Sequence, residues 1–390
     1  MEIELNEIQQ SVREGVGRIV DQFGDEYWSK LDQSGDFPHE FHAALANGGY
    51  LGITMPEELG GSGLGVTEAA IMMNRICQGS GGYSAASTIH LNLFGPHAVV
   101  VFGTPEQKER MLKPLIAGTD KACFGVTEPD AGLDTTSIRT VAKRVDGGWR
   151  VSGRKMWTST AQVANKILLL ARTSPKPAKG EGKPTDGMTL FYTDMDRSKI
   201  EVRRIAKHGR AAVDSNAVFI DDLFIPEQDL IGDEGRGFYY LLDGLNPERI
   251  LIAVEAIGIG LDALRRAARY ARERVVFGRP IGRNQGIQHP LAECWVNLEA
   301  ALLLAERAAD LYDAGQPCGP EANGAKLLGS RAGYEACQRA VLTHGGMGYA
   351  KEFHVERLLR EVLITRIAPV TDQLILSFIA EKVLDLPKSY

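Results

Sequence analysis

Between about Lys121 and Gly237 the apolar residues of this chain stop recurring at helical spacing and begin to alternate. Segments 137–143, 149–152, 155–159, 166–171, 189–193, 200–204 and 216–220 are short, rich in β-branched and aromatic residues, and bounded by Gly and Asp. That pattern predicts strands of a small sandwich or barrel. On either side the spacing is helical. The predicted architecture is therefore α+β and multidomain: an all-helical domain over 1–120, a β-sandwich or barrel over 121–236, and a four-helix bundle over 237–390. At 390 residues the chain is long enough for two or three cores. Clefts where such units meet are common ligand sites.

The N-terminal helices have readable starts. A helix is predicted from Glu2 to Phe23, with Asn6 near its capped end. Others begin at Phe37-Pro38, over 66–77 and over 83–94. Thr104-Pro105-Glu106 places a cap, a first-position proline and a first-turn acid in order. Beyond Gly237, helices are expected over 238–242, 249–275, 285–314, 321–345, 353–364 and 372–383. A break falls at 244–247, where Asn246 could cap and Pro247 could lead. Gly258 and Gly260 weaken the long helix but would let another helix come close.

The net charge of −6, with both signs mixed along the chain, argues against a nucleic-acid surface. It leaves room for a phosphate-bearing small ligand held by a local basic pocket. Five scattered cysteines without CxxC spacing point to reduced thiols and the cytoplasm. No leader and no bilayer-length apolar run is read, so neither a membrane role nor targeting by a cleaved leader is expected. The histidines have no metal-ligand spacing, and no metal is expected.

A few stretches combine chemistry-bearing residues. Thr127-Glu128-Pro129 with Asp130-Ala131-Gly132 is either a turn leading into the β-region or a cradle for a flat polar ligand or anion. Trp157-Thr158-Ser159-Thr160 is either a packed aromatic with turn hydroxyls or a stacking wall. Arg274 to Ile281, with Phe277, either caps a helix dipole or grips a pyrophosphate. The glycine-rich turn at Gly345 and Gly346 either ends a helix or admits a ligand. Glu248 is either an ordinary first-turn acid or a proton-abstracting base between domains, and Glu255 shares its face at i+7.

Taken together, these motifs resemble the FAD-dependent acyl-CoA dehydrogenases over essentially the whole chain. The match rests on five segments in order: 126–134, the Trp157 region, 274–281 with Gln285, 345–349 and 366–373. The resemblance implies a homotetramer of three-domain subunits that binds FAD between the β-domain and the bundle. By position, Val126, Thr127, Trp157 and Ser159 would surround the flavin ring. Arg274, Phe277 and Gln285 would hold the ADP portion across a subunit interface, with Gly345 and Gly346 on the partner side and Thr371 with Gln373 at the pyrophosphate and adenosine end. Asn246 and Arg249 would touch the CoA thioester portion. Leu133 stands where the family places a serine near the CoA, and Leu342 where it places a glutamine.

The family has two homes for its catalytic base. Pro369 fills the commoner one and Val370 follows where glycine is usual, so the resemblance moves the base to Glu248, the position used by isovaleryl- and long-chain-type members. The implied reaction is α,β-dehydrogenation of an acyl-CoA to the trans-2-enoyl-CoA. Glu248 takes the pro-R α-proton while a hydride leaves the β-carbon for the flavin. The electrons then pass to an electron-transfer flavoprotein. The alternatives are a related flavin-dependent oxidase or monooxygenase and a turnover-deficient acyl-CoA-binding protein. The acyl group is expected against residues 83–93, Leu242 and Ala368. No arginine lies in 83–87, which argues against a dicarboxylate substrate.

Overall fold

The computed structural model describes residues 5–388, so the predicted helix start at Glu2 lies outside the described residues. Seven helices come first: α1 (Glu7–Val20), α2 (Asp25–Ser34), α3 (His39–Asn47), α4 (Val66–Cys77), α5 (Gly82–Phe94), α6 (His97–Phe102) and α7 (Pro105–Ile116). Asn6 closes a capping box on α1: its Oδ1 accepts from Gln9 N (2.9 Å) and its own N donates to Gln9 Oε1 (3.1 Å). Thr104 does the same for α7, with Pro105 leading as predicted. Helix α2 was not predicted. It lies between Gly24 and the left-handed Gly35 and buries only Trp28 and Leu31, too few apolar positions to show a period.

The middle strands are β1 (Ala122–Gly125), β2 (Val141–Val145), β3 (Gly148–Ser159), β4 (Lys166–Arg172), β5 (Met188–Asp194), β6 (Ile200–Arg204) and β7 (Ser215–Pro226). They form one seven-stranded sheet in the order β1-β4-β2-β3-β7-β6, with β5 added on β4. The two segments predicted at 149–152 and 155–159 are one strand, β3, pairing antiparallel with β7 along its length. Their apparent gap marks register shifts. Between Val151 and Gly153 the extra residue is on β7, and between Lys155 and Thr158 it is on β3. The second bulge holds Trp157 at φ 62, a conformation costly for a bulky side chain.

The C-terminal part comprises α8 (Gly237–Asp243), α9 (Leu245–Glu273), a hairpin of β8 (Val275–Val276) and β9 (Arg279–Pro280), α10 (Gln285–Asp313), α11 (Gly319–His344), α12 (Val355–Val362) and α13 (Asp372–Lys382). Helix α9 is its axis, and most of its residues are buried. The glycines work as read: a Cβ on Gly258 would sit 2.5 Å from Asn74 O of α4, and one on Gly260 would sit 2.9 Å from Gly333 Cα of α11. The break before α9 is at Gly244, not Asn246. Glu248 N donates to Gly244 O (3.2 Å), while Asn246 Oδ1 accepts from Arg249 Nη1 (3.0 Å) and caps nothing. One main core runs through α1–α5 and α9–α12, and two smaller ones line the faces of the sheet. Among the described residues, the stretch Gly82–Phe102 is long and apolar enough to cross a membrane. In this fold 67% of its 18-residue apolar window is buried inside the protein.

Candidate active site

Glu248 stands in the first turn of α9, 7% exposed, on a small cavity lined by Phe94, Gly95, Ala98, Phe124, Tyr240, Leu241, Gly244 and Leu245. Its surroundings are apolar, and burial pushes its carboxyl up to about 7 against the opposing pull of His90 and Arg249. A first-turn acid that merely complements the helix dipole would face water. Arg249 is mostly buried beside it; its Nε has no partner. The predicted Leu242 is 41% exposed, and its neighbour Leu241 takes the place on the cavity.

The α5 wall of this cavity carries groups that sequence reasoning missed. Phe94 packs on Phe124 of β1 (ring centroids 5.3 Å) and on His90 (4.8 Å). His90 Nδ1 lies 2.7 Å from Oε1 of the fully buried Glu255, whose Oε2 has no partner. Burial lowers the His90 pKa, but the charge and hydrogen bond of Glu255 outweigh it and hold the imidazole above 6.5. Glu248 and Glu255, paired at i+7 in the sequence, therefore both face inward. On the far side, buried Lys326 of α11 donates to Val370 O (2.6 Å), and burial draws it down to about 8 against the pull of Asp372.

A second cluster forms where the end of β1 meets the bulge of β3. Met156 N donates to Thr127 O (2.8 Å) and Lys155 Nζ to Val126 O (3.1 Å), so Val126 and Thr127 lie along the edge that carries Trp157 and Ser159. Trp157 is 57% exposed, turned out by its positive φ. Beneath it the Oγ1 of Thr158 is buried without a partner. The carboxylate of Glu128 does not belong to a ligand cradle. It is buried and accepts from Arg139 N, Thr140 N, Thr140 Oγ1 and Lys155 Nζ (2.6–3.0 Å). Burial would raise its pKa, but Lys155 and these donors outweigh that and lower it. Its role is to fasten the turn to the sheet.

The remaining predicted residues lie on other elements, with Thr371 adjoining Val370 of the first cluster. Phe277 tips the β8–β9 hairpin at φ 51 and is 99% exposed, with exposed Arg274 and Gln285 at the adjacent helix ends. Gly345 (φ 61) and Gly346 follow α11 with open space where a side chain would stand. Thr371 Oγ1 caps α13, accepting from Leu374 N, and Gln373 is exposed in its first turn. Leu133 is exposed too. An unpacked indole face, a buried orphan hydroxyl and two open glycines fit a planar ring system with a pyrophosphate tail, such as FAD.

Comparison with known proteins agrees over the whole chain. Residues 6–119 match the family model described as Acyl-CoA dehydrogenase, N-terminal domain; residues 123–223 match the middle domain, and 235–384 the C-terminal domain. The chain is 34% identical over 397 residues to acyl-CoA dehydrogenase FadE12 of Mycobacterium tuberculosis, covering 99% of this chain and 98% of that one. It is 34% identical over 385 residues to benzylmalonyl-CoA dehydrogenase of Aromatoleum aromaticum, covering 98% and 100%. The structure of butyryl-CoA dehydrogenase from Megasphaera elsdenii superposes with a TM-score of 0.92 at 27% identity, covering 98% and 100%. The three-domain fold and these matches place the chain in the acyl-CoA dehydrogenase family, whose members are flavin-dependent oxidoreductases acting on CoA thioesters.

Proposed function

We propose that this protein dehydrogenates an acyl-CoA between the α- and β-carbons, with Glu248 as the base. The observation that carries this reading is a buried carboxyl held at about 7 on an apolar cavity, next to a half-buried arginine. A base of that strength is matched to proton abstraction near neutral pH, and the last water displaced by an acyl chain strengthens it further. The bound flavin supplies the acceptor for the β-hydrogen. Val126, Thr127, Trp157 and Ser159 orient its ring, and Asn246 and Arg249 orient the thioester end of the substrate. Arg274, Phe277, Gln285, Gly345, Gly346, Thr371 and Gln373 hold the ADP portion between subunits of a homotetramer. The exposed Trp295, Val296, Leu303, Leu328 and Leu376 of α10, α11 and α13 support such an assembly, because apolar helix faces of this extent are normally covered.

Enolate-like charge on the thioester oxygen needs donors aimed at it. Pro369 has no N–H to give. Lys326 Nζ holds the Val370 carbonyl (2.6 Å), so the N–H of the same peptide, that of Thr371, faces the opposite way and is free of that tether. We assign the thioester contact to this peptide. Electrons leave to an electron-transfer flavoprotein, and the five buried free cysteines suit a cytoplasmic setting. An anaerobic acyl-CoA titration tests the reading: bleaching of the oxidised flavin supports it. A yellow protein that no thioester bleaches refutes it and favours an acyl-CoA-binding protein without turnover.

A further inference from the structure

Arg210 lies in the loop between β6 and β7, with a left-handed φ of 59. Its guanidinium donates to three serine hydroxyls from three different elements: Ser87 of α5 (3.3 Å), Ser159 of β3 (2.9 Å) and Ser215 of β7 (3.1 Å). No carboxylate among the described residues is within ion-pair distance of it. Arg266 and Arg360, by contrast, each grip two carboxylates. Lys207 adds a second cation at the same corner, donating to Ser215 Oγ (3.2 Å) and to the Val213 carbonyl. Burial and the Arg210 charge draw this lysine down to about 6 against the pull of the buried carboxylates of Asp214 and Glu361, neither of which is within ion-pair distance of it.

A guanidinium has five N–H donors in a fork that matches a carboxylate, and neutral hydroxyls leave its charge uncompensated. Each serine that accepts from Arg210 must also turn its own hydrogen elsewhere, so the cluster presents further O–H donors. Ser87 shares a helical face with Tyr83, His90 and Phe94, and Phe94 walls the Glu248 cavity. The buried Tyr83 feels the charges of Glu255, Arg210 and Glu248 together. Arg210 thus reaches α5 at Ser87, two turns before Phe94. Residues 83–87 contain no arginine, but the fold brings one to Ser87 from 123 residues away.

We propose that Arg210, with the hydroxyls of Ser87, Ser159 and Ser215, binds a carboxylate on the acyl group, so that the substrate is a CoA thioester of a dicarboxylic acid. This rests on the acyl-CoA reading above and adds the class of acyl group. The test compares glutaryl-CoA with pentanoyl-CoA, alike in carbon count but differing in terminal charge, for both dissociation constant and rate of flavin reduction. The holoenzyme should favour glutaryl-CoA by ~10-fold or more, and Arg210→Gln should bring the ratio toward one. Arg210→Lys, which keeps the charge and loses the fork, should fall between. Equal affinity for the two thioesters in the unmutated protein, or a ratio that Arg210→Gln leaves unchanged, overturns the proposal. Binding is scored separately from bleaching, so a protein that prefers glutaryl-CoA but never bleaches refutes the dehydrogenase reading alone. An Arg210→Gln variant that slows both thioesters equally identifies Arg210 as a support for Ser159 and also overturns it.

Discussion

Replacing Glu248 by glutamine should stabilise the protein at alkaline pH while stopping its chemistry. A carboxyl moved from 4.5 to about 7 has its charged form disfavoured in the folded state by ~3 kcal/mol. Because the folded pKa is raised, the folded protein binds more protons than the unfolded chain between pH 4.5 and about 7. Stability from this group is complete below 4.5 and falls as pH rises through that window. Glutamine cannot ionise and escapes the loss. At pH 8 Glu248→Gln should therefore melt higher, by roughly 4 °C for an unfolding entropy that scales with a chain of this length, and at pH 4.5 it should match the wild type. Flavin reduction by an acyl-CoA should drop ~100- to 10,000-fold, the usual contribution of a positioned base. Differential scanning calorimetry at the two pH values and anaerobic stopped-flow absorbance read the two effects. Equal melting at pH 8 would show that the carboxyl is not desolvated. A variant that reduces flavin at the wild-type rate would place the base elsewhere.

Three other perturbations address the frame around the site. Lys155→Met leaves the buried carboxylate of Glu128 without its cation, and urea unfolding should show a loss of about 3–5 kcal/mol; an unchanged midpoint would mean that Glu128 is neutral. Gly333→Val drives a side chain into the Ala256 carbonyl of α9, so its melting temperature should fall by several degrees and soluble yield with it; an unchanged melting temperature would mean that α9 and α11 part without cost. Phe277→Ser removes an aromatic that is 99% exposed on the isolated chain, and light scattering with absorbance should show loss of the tetramer and of bound flavin together. Retention of both would remove the hairpin from the proposed interface.

What could be read from the sequence was local. Asn6 and Thr104 announce helix starts because cap, first-turn acid and apolar period lie within a few residues of one another. Asn246-Pro247 imitates the same signal and misleads, since Asn246 Oδ1 is claimed by Arg249 and the helix starts two residues earlier. Glu248 and Trp157 were found because their motifs resemble a family; no period or spacing shows that one is desolvated or that the other sits in a bulge. The long-range polar pairs behind the α5 wall were out of reach for a different reason. His90 and Glu255 are 165 residues apart, and Arg210 and Ser87 are 123 apart. Each of those residues alone looks like an ordinary polar position on a helix or loop.

The placement of the charges follows from two competing effects at the start of α9. The helix N-terminus favours an ionised Glu248 by about 0.3–1 kcal/mol, and His90, Arg249 and Lys326 pull the same way. Desolvation by the Phe94–Phe124 wall opposes them and wins, which keeps the carboxyl near neutrality rather than permanently charged. An acyl group with its own carboxylate would undo that balance if the second charge came to rest beside Glu248, since two like charges in a dry chamber raise each other's pKa and repel. A receptor for such a group must therefore lie on another wall, and it must carry positive charge that no carboxylate among the described residues pairs with directly. Arg210, held by serines across α5, satisfies both requirements.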